Sequence, residues 1–175
     1  ILDVYSPILD GEPTYDDLDK HADLLRNKKP DLLIGIGGGT IMDLAKGISV
    51  LMNNPGPGIQ YRGMNKVKKK PVPFLAVPTT AGTGAEVTSN AVIYINKIKY
   101  SVESEKIKPD YFFLIPDLVV SASSKIKSST GFDAISQAIE SLISKKSNNK
   151  SVDIAAKSLK ISFKYYLELN IIWNL

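Results

Sequence analysis

Two stretches rich in glycine and hydroxyl residues carry the groups best suited to chemistry. The first is Gly37-Gly38-Gly39-Thr40. It follows the apolar run Leu32 to Ile36, which reads as a strand buried on both faces. It precedes a helical pattern from Ile41 to Leu51, with apolar residues at Ile41, Leu44, Ala45, Ile48 and Leu51. Strand, glycines and helix in that order make a phosphate cradle. Glycine lets a phosphate approach backbone N–H groups closely, and the helix start aims its positive end at the same point. Thr40 adds a hydroxyl. The spacing is neither G-x-G-x-x-G nor that of the P-loop, and a tight turn without a ligand uses the same glycines.

The second stretch, Pro78 to Glu86, follows another apolar run, Val72 to Val77. In a parallel sheet both stretches lie at the carboxyl edge of the strands, where open α/β sheets bind ligands. Thr79, Thr80 and Thr83 offer hydroxyls for wrapping a polar ligand. Thr83 and Glu86 also have the spacing of a capping box, which predicts a helix after Thr83. Together the two loops point to nucleotide binding. A third cluster lies on a helix expected from about Gly131. Phe132, Ile135, Ile139 and Leu142 form its apolar stripe. Asp133, Gln137 and Glu140 fall within about 60° of one another on another face. That face is either solvated or presents an i, i+4 ligand pair to a cleft.

Elements that position these groups follow from the pattern. Ile1 to Tyr5 reads as a short strand and Tyr15 to Arg26 as a helix capped by Thr14, with Asp16 and Asp17 in its first turn. Ala91 to Ile95 and Tyr111 to Leu114 read as strands, Ser121 to Ser129 as a polar connector, and Asp153 to Leu167 as a last helix. Strands alternating with helices, then helices alone, imply an α/β fold with a parallel sheet followed by an all-helical segment. The expected domains are 1–127, an α/β nucleotide-binding domain, and 128–175, the beginning of a helical one.

Composition narrows the function classes. The 175 residues are 43% hydrophobic, which excludes global disorder. The net charge is +4, and the lysine runs at 66–70 and 145–150 read as solvated loops. Arginine occurs only at Arg26 and Arg62, so no nucleic-acid partner is expected. Absence of cysteine excludes disulfides, thiolate metal sites and a Cys nucleophile. No apolar run approaches the ~20 residues that span a bilayer, and a cytoplasmic location with no membrane partner is expected.

In four ordered segments the chain resembles the iron-containing (group III) alcohol dehydrogenases. They are Pro13-Thr14-Tyr15, Asp31 through Lys46 with its Asp43-x-x-Lys46, Pro78 through Glu86, and Thr130 through Glu140. The resemblance implies a dehydroquinate synthase-like dinucleotide-binding domain, incomplete at its N-terminus, followed by a truncated helical metal-binding domain. The chain would then be a fragment of an NAD- or NADP-dependent oxidoreductase. That enzyme would move a hydride between the cofactor and a small aldehyde or alcohol, with Fe(II), alternatively Zn, polarising the oxygen. A homodimer or larger homo-oligomer is the family's habit.

By the same resemblance Gly37, Gly38, Gly39 and Thr40 hold the pyrophosphate, with Asp43 close behind. Thr79, Thr80 and Thr83 touch the cofactor, Lys99 reaches its ribose, and Leu118 lines it. Asp133 and Gln137 are the metal positions. No further catalytic residue is assigned. The chain departs from the pattern at Gln137, where the family has His, and at Ile115-Pro116, where it has Asp-Pro. Its only histidine, His21, lies far before the ligand helix. The segment around Gln137 is similar to a phosphonoacetaldehyde reductase-like subgroup. The alternatives are a non-catalytic remnant, or a nucleotide-binding relative of glycerol dehydrogenase and dehydroquinate synthase.

Overall fold

The structure, a computed structural model, describes residues 3–173, with side chains described through residue 165. The expected strand Ile1 to Tyr5 lies partly outside these residues, and Asp3 to Tyr5 are irregular. The elements are α1 (Tyr15–Arg26), β1 (Leu33–Gly37), α2 (Gly39–Asn53), β2 (Gly63–Met64), β3 (Phe74–Pro78), β4 (Asn90–Ile95), β5 (Ile98–Glu103), β6 (Tyr111–Phe112), α3 (Pro116–Val120), α4 (Ser124–Ile143) and α5 (Asn149–Trp173). Two compact units result. One comprises residues up to Thr79 with Ala85–Pro116, the other Thr80–Gly84 with the chain from Asp117 on.

The first unit holds two three-stranded sheets. β1, β3 and β6 pair in parallel, in the order β1-β3-β6. The second sheet, β2-β5-β4, contains an antiparallel hairpin of β4 and β5. The sequence pattern misses that hairpin. Its turn is Asn96-Lys97, both with positive φ, as a two-residue hairpin loop demands. The asparagine between two alternating runs is the signal that identifies it.

Helix α1 begins as expected. Thr14 Oγ1 accepts from the Asp17 amide at 3.1 Å, and the Asp17 carboxylate accepts from the Thr14 amide at 3.0 Å, closing a capping box. Its buried face, Tyr15, Leu18 and Ala22, joins Leu44, Ile48 and Leu51 of α2 and Ala91, Ile93 and Val102 of the hairpin in one core. A second, smaller cluster puts Met42 of α2 against Phe74 and Ala76 of β3. Helix α2 therefore packs on both sheets.

The strand β1 is not buried on both faces. Gly35 is buried, whereas Ile34 and Ile36 are 44% and 61% exposed. The reason is coverage: α2 lies on one face of β1-β3-β6, and among the described residues of this unit no helix lies on the other. Tyr111, Phe112 and Phe113 leave the same sheet half open. The helix expected after Thr83 is also absent. Residues 85–87 form a turn and the chain runs on into β4.

In the second unit α4 and α5 pack together, burying Ile135, Ala138 and Ala155. Helix α4 starts at Ser124, so most of the expected connector Ser121 to Ser129 is helical. The Ser123 hydroxyl accepts from the Ile126 amide at 3.4 Å and caps it. Phe132 and Ile139 of the expected apolar stripe remain exposed.

Leu18 sits between two glycines. A Cβ on Gly47 would stand 2.8 Å from one Leu18 methyl, and one on Gly58 would stand 2.7 Å from the other. Turning Leu18 away from either brings it onto its opposite. Gly47→Ala, which helix propensity alone favours by about 1 kcal/mol, is expected to destabilise by about 1–3 kcal/mol through overpacking. A urea melt measures the sign, and a stabilised variant would contradict the packing argument.

His21 is buried on α1, with its Nδ1 bonded to the Tyr5 hydroxyl at 2.5 Å. Burial holds its pKa below the ordinary 6.5; Lys20 adds to the depression and Asp17 opposes it. The neutral ring is the folded form. Its contribution to stability is present above the unfolded value and is lost as pH falls through the depressed folded one. Unfolding free energy should drop as pH is lowered through and below the ordinary 6.5, and His21→Gln should flatten that slope. Urea melts across that range measure it.

Candidate functional site

The glycine stretch forms the junction between β1 and α2. Gly37 ends the strand, Gly38 is the helix N-cap without a side-chain partner, and Gly39 opens the helix. The first amides of a helix have no partner inside it, and the first turn of α2 carries no acidic side chain to offset its positive end. At Gly37 a Cβ would stand 2.6 Å from Cβ of Ile41. Glycine there is what lets the chain fold back over its own helix. The Thr79 amide donates to Gly37 O at 2.9 Å, so the end of β3 is tied to the cradle. The Thr40 hydroxyl donates to the Glu12 carboxylate at 3.1 Å.

Asp43 and Lys46 lie one turn further along α2 and are the only charged residues in that helix. Lys46 is 1% exposed. Its ammonium donates to Thr88 Oγ1 at 2.8 Å and to Asn90 O at 2.9 Å, and stands 3.6 Å from Asp43 Oδ1. Asp43 Oδ2 accepts from the Val92 amide at 3.0 Å. Burial pushes the Asp43 carboxyl above its ordinary range, against the pull of Lys46, the Val92 amide and Lys99. Burial likewise pulls the Lys46 ammonium down, against Asp43 and Glu86. The sequence carries this motif but not its depth. Two opposite charges three residues apart in an otherwise uncharged helix are the signal that finds it.

An open groove of about 550 Å³ lies over the second sheet, lined by Arg62, Gly63, Asn90, Val92, Lys99, Tyr100 and Ser101. Lys99 is exposed at this groove. The Arg62 guanidinium sits 4.7 Å from the Tyr100 ring centre. Two cations in one groove suit an anionic ligand. Arg62 and Tyr100 belong to it without any motif announcing them.

The sequence-derived site residues fall into both units. Gly37, Gly38, Gly39, Thr40, Asp43, Thr79 and Lys99 are in the first, and Thr80, Thr83, Leu118, Asp133 and Gln137 in the second. Within the second unit the Thr80–Gly84 loop lies against α4, for a Cβ on Gly82 would stand 2.6 Å from the Thr130 carbonyl. Thr80, Thr83 and Leu118 are half-buried.

Asp133 and Gln137 face each other across one turn of α4, the amide of Gln137 donating to Asp133 Oδ2 at 3.1 Å. The spacing delivers two oxygen donors side by side. A site for Fe(II) or Zn needs at least three protein donors, with imidazole and carboxylate preferred over a neutral amide. Among the described residues no three His, Asp or Glu side chains converge. The donor set present does not fit such a metal.

A family model described as iron-containing alcohol dehydrogenase matches residues 2–116. The NAD-dependent methanol dehydrogenase of Bacillus methanolicus is 35% identical over 161 residues, covering 91% of this chain and 42% of that protein. Among solved structures, sulfoacetaldehyde reductase from Bifidobacterium kashiwanohense in complex with NAD+ aligns with TM-score 0.83 at 33% identity, covering 90% of this chain and 43% of that one. An iron-containing alcohol dehydrogenase from Thermotoga maritima aligns with TM-score 0.82 at 34% identity, covering 89% and 43%. The chain thus spans about two-fifths of the length of the relatives it matches.

With one carboxylate and one amide as donors, the chain is expected to bind Zn(II) no tighter than about 100 μM. Calorimetric titration checks this. A tighter 1:1 isotherm lost on Asp133→Ala would contradict the donor count.

Proposed function

The chain belongs to the iron-containing alcohol dehydrogenase family, and we propose that the protein it represents is a nicotinamide-dependent oxidoreductase. Its substrates on this reading are small alcohols and the aldehydes they form. The observation that carries the reading is the junction of β1 and α2. Three glycines bring the first backbone amides of α2 to the carboxyl end of a parallel sheet, with the end of β3 bonded beside them.

The backbone amides of the β1–α2 junction suit a pyrophosphate, and the family resemblance supplies the other contacts. Gly37, Gly38, Gly39 and Thr40 would receive the pyrophosphate, on backbone amides and one hydroxyl. Thr79, Thr80 and Thr83 would contact it along the second loop, and Leu118 would give it an apolar wall. Lys99 would donate to a ribose hydroxyl from the groove it shares with Arg62. When bound, the nicotinamide supplies the hydride acceptor or donor that no side chain provides. The chain's own contribution is to neutralise phosphate charge and hold the rings in one register, which is the larger part of catalysis by positioning. NAD and NADP both satisfy these contacts. Residues 1–127 would form the nucleotide-binding domain and 128–175 the start of the helical one. Asp133 and Gln137 do not by themselves make a site for the metal in the family's name, and no step passes through it.

A carboxylate at the helix start separates binding from folding. Gly39→Asp complements the helix dipole, worth about 0.3–1 kcal/mol to the helix, yet it opposes a pyrophosphate. NADH titration by fluorescence should show affinity reduced at least about tenfold with no loss in melting temperature. Unchanged NADH affinity would sink the cradle assignment, and a wild-type chain that binds neither NADH nor NADPH would sink the nucleotide reading altogether.

A further inference from the structure

Both charged residues of α2 reach the outer edge of β4. In a β-strand the carbonyl of residue i and the amide of residue i+2 point to the same side. Asn90 O and Val92 N are such a pair. β4 is an edge strand, and β5 occupies its other side. Lys46 Nζ donates to Asn90 O at 2.9 Å, and Asp43 Oδ2 accepts from Val92 N at 3.0 Å. Two residues on, the Tyr94 amide donates to Pro13 O at 2.8 Å. A donor and an acceptor from two side chains thus stand where the next strand would offer its own N–H and C=O. Lys46 also holds Thr88, whose hydroxyl donates in turn to Ala85 O at 3.4 Å, so the approach to the strand is fixed as well.

We propose that Asp43 and Lys46 are positioning residues: one turn of α2 takes the place of a neighbouring strand at the outer edge of β4, and so sets the β4–β5 hairpin and the Lys99 it presents. The Lys99 half rests on the functional reading above. Tyr94 stands opposite Lys99 and Val92 opposite Ser101 in the hairpin register. A strand that slips by one residue turns every side chain to the other face, so pinning β4 pins the face from which Lys99 works. Both carboxylate oxygens of Asp43 are engaged by the protein itself. Asp43 acts through the hairpin, as a support for the groove, and not by touching the cofactor.

The test uses the 175-residue chain with Lys46→Met and Asp43→Ala, each also combined with Lys99→Ala. Amide hydrogen exchange is read at Val92 and Tyr94, and NADH affinity by fluorescence. The expected result is exchange faster by at least about tenfold at those two amides, while β1 and β3 amides keep their protection. NADH affinity should fall in either variant, and Lys99→Ala should cost far less there than in the wild type, because Lys99 is already misplaced. Unchanged exchange at Val92 and Tyr94 overturns the edge-capping role. An undiminished Lys99→Ala loss in the variants overturns the link to Lys99. If Lys46→Met fails to fold, Asp43→Ala, which removes the acceptor of the Val92 amide and leaves Lys46 its bonds to Thr88 and Asn90, supplies both readings. A wild-type chain without NADH binding overturns the functional reading and the Lys99 half with it, and the exchange data still decide the edge.

Discussion

Burying an ammonium ion costs several kcal/mol unless its charge and its protons are met, and Lys46 is among the most deeply buried side chains of the first unit. Its partners come from one place, the start and outer edge of β4, together with Asp43 on its own helix. That demand fixes how α2 lies against the second sheet. The same helix packs Met42 against Phe74 and Ala76 of the first sheet. Its N-terminus is the cradle. One helix therefore orients two sheets at once, and the buried charge sets its rotation.

Close approach is the second theme of the unit. Gly35 lies against the Phe74 ring, Gly37 against Ile41, and Gly47 and Gly58 against Leu18. Each lets a backbone come nearer than a Cβ permits. The glycines at the β1–α2 junction thus serve packing. Their presence in a sequence does not by itself distinguish a phosphate site from a tight junction.

Apolar surface is distributed unevenly. Ile34, Ile36 and Tyr111 are open on one side of the first sheet, Phe112 is exposed on the other at the β6 edge, and Phe132 and Ile143 are open on α4. A parallel sheet normally has both faces covered, and patches of this kind mark surfaces that meet other structure. The relatives in the iron-containing alcohol dehydrogenase family are more than twice as long as this chain.

Much of this was legible in the residues. Thr14 announces α1, the apolar run and glycines announce β1 and α2, and the four ordered motifs identify the family. These are local signals: capping, periodicity and backbone freedom act between residues near in sequence. The β4–β5 hairpin was less visible, because its signal is a two-residue turn at Asn96-Lys97 inside a polar stretch. The exposed face of β1 and the missing helix after Thr83 went the other way, since a continuous apolar run and a capping spacing say nothing of which neighbours are present. The i, i+4 placement of Asp133 and Gln137 was determined by the sequence. What only the tertiary structure decided is that Lys46 is interior, that Asp43 serves the edge of β4, and that Arg62 and Tyr100 share a groove with Lys99. Each of those facts joins residues distant along the chain, and burial and pairing at such range depend on the whole packing arrangement, which no local pattern encodes.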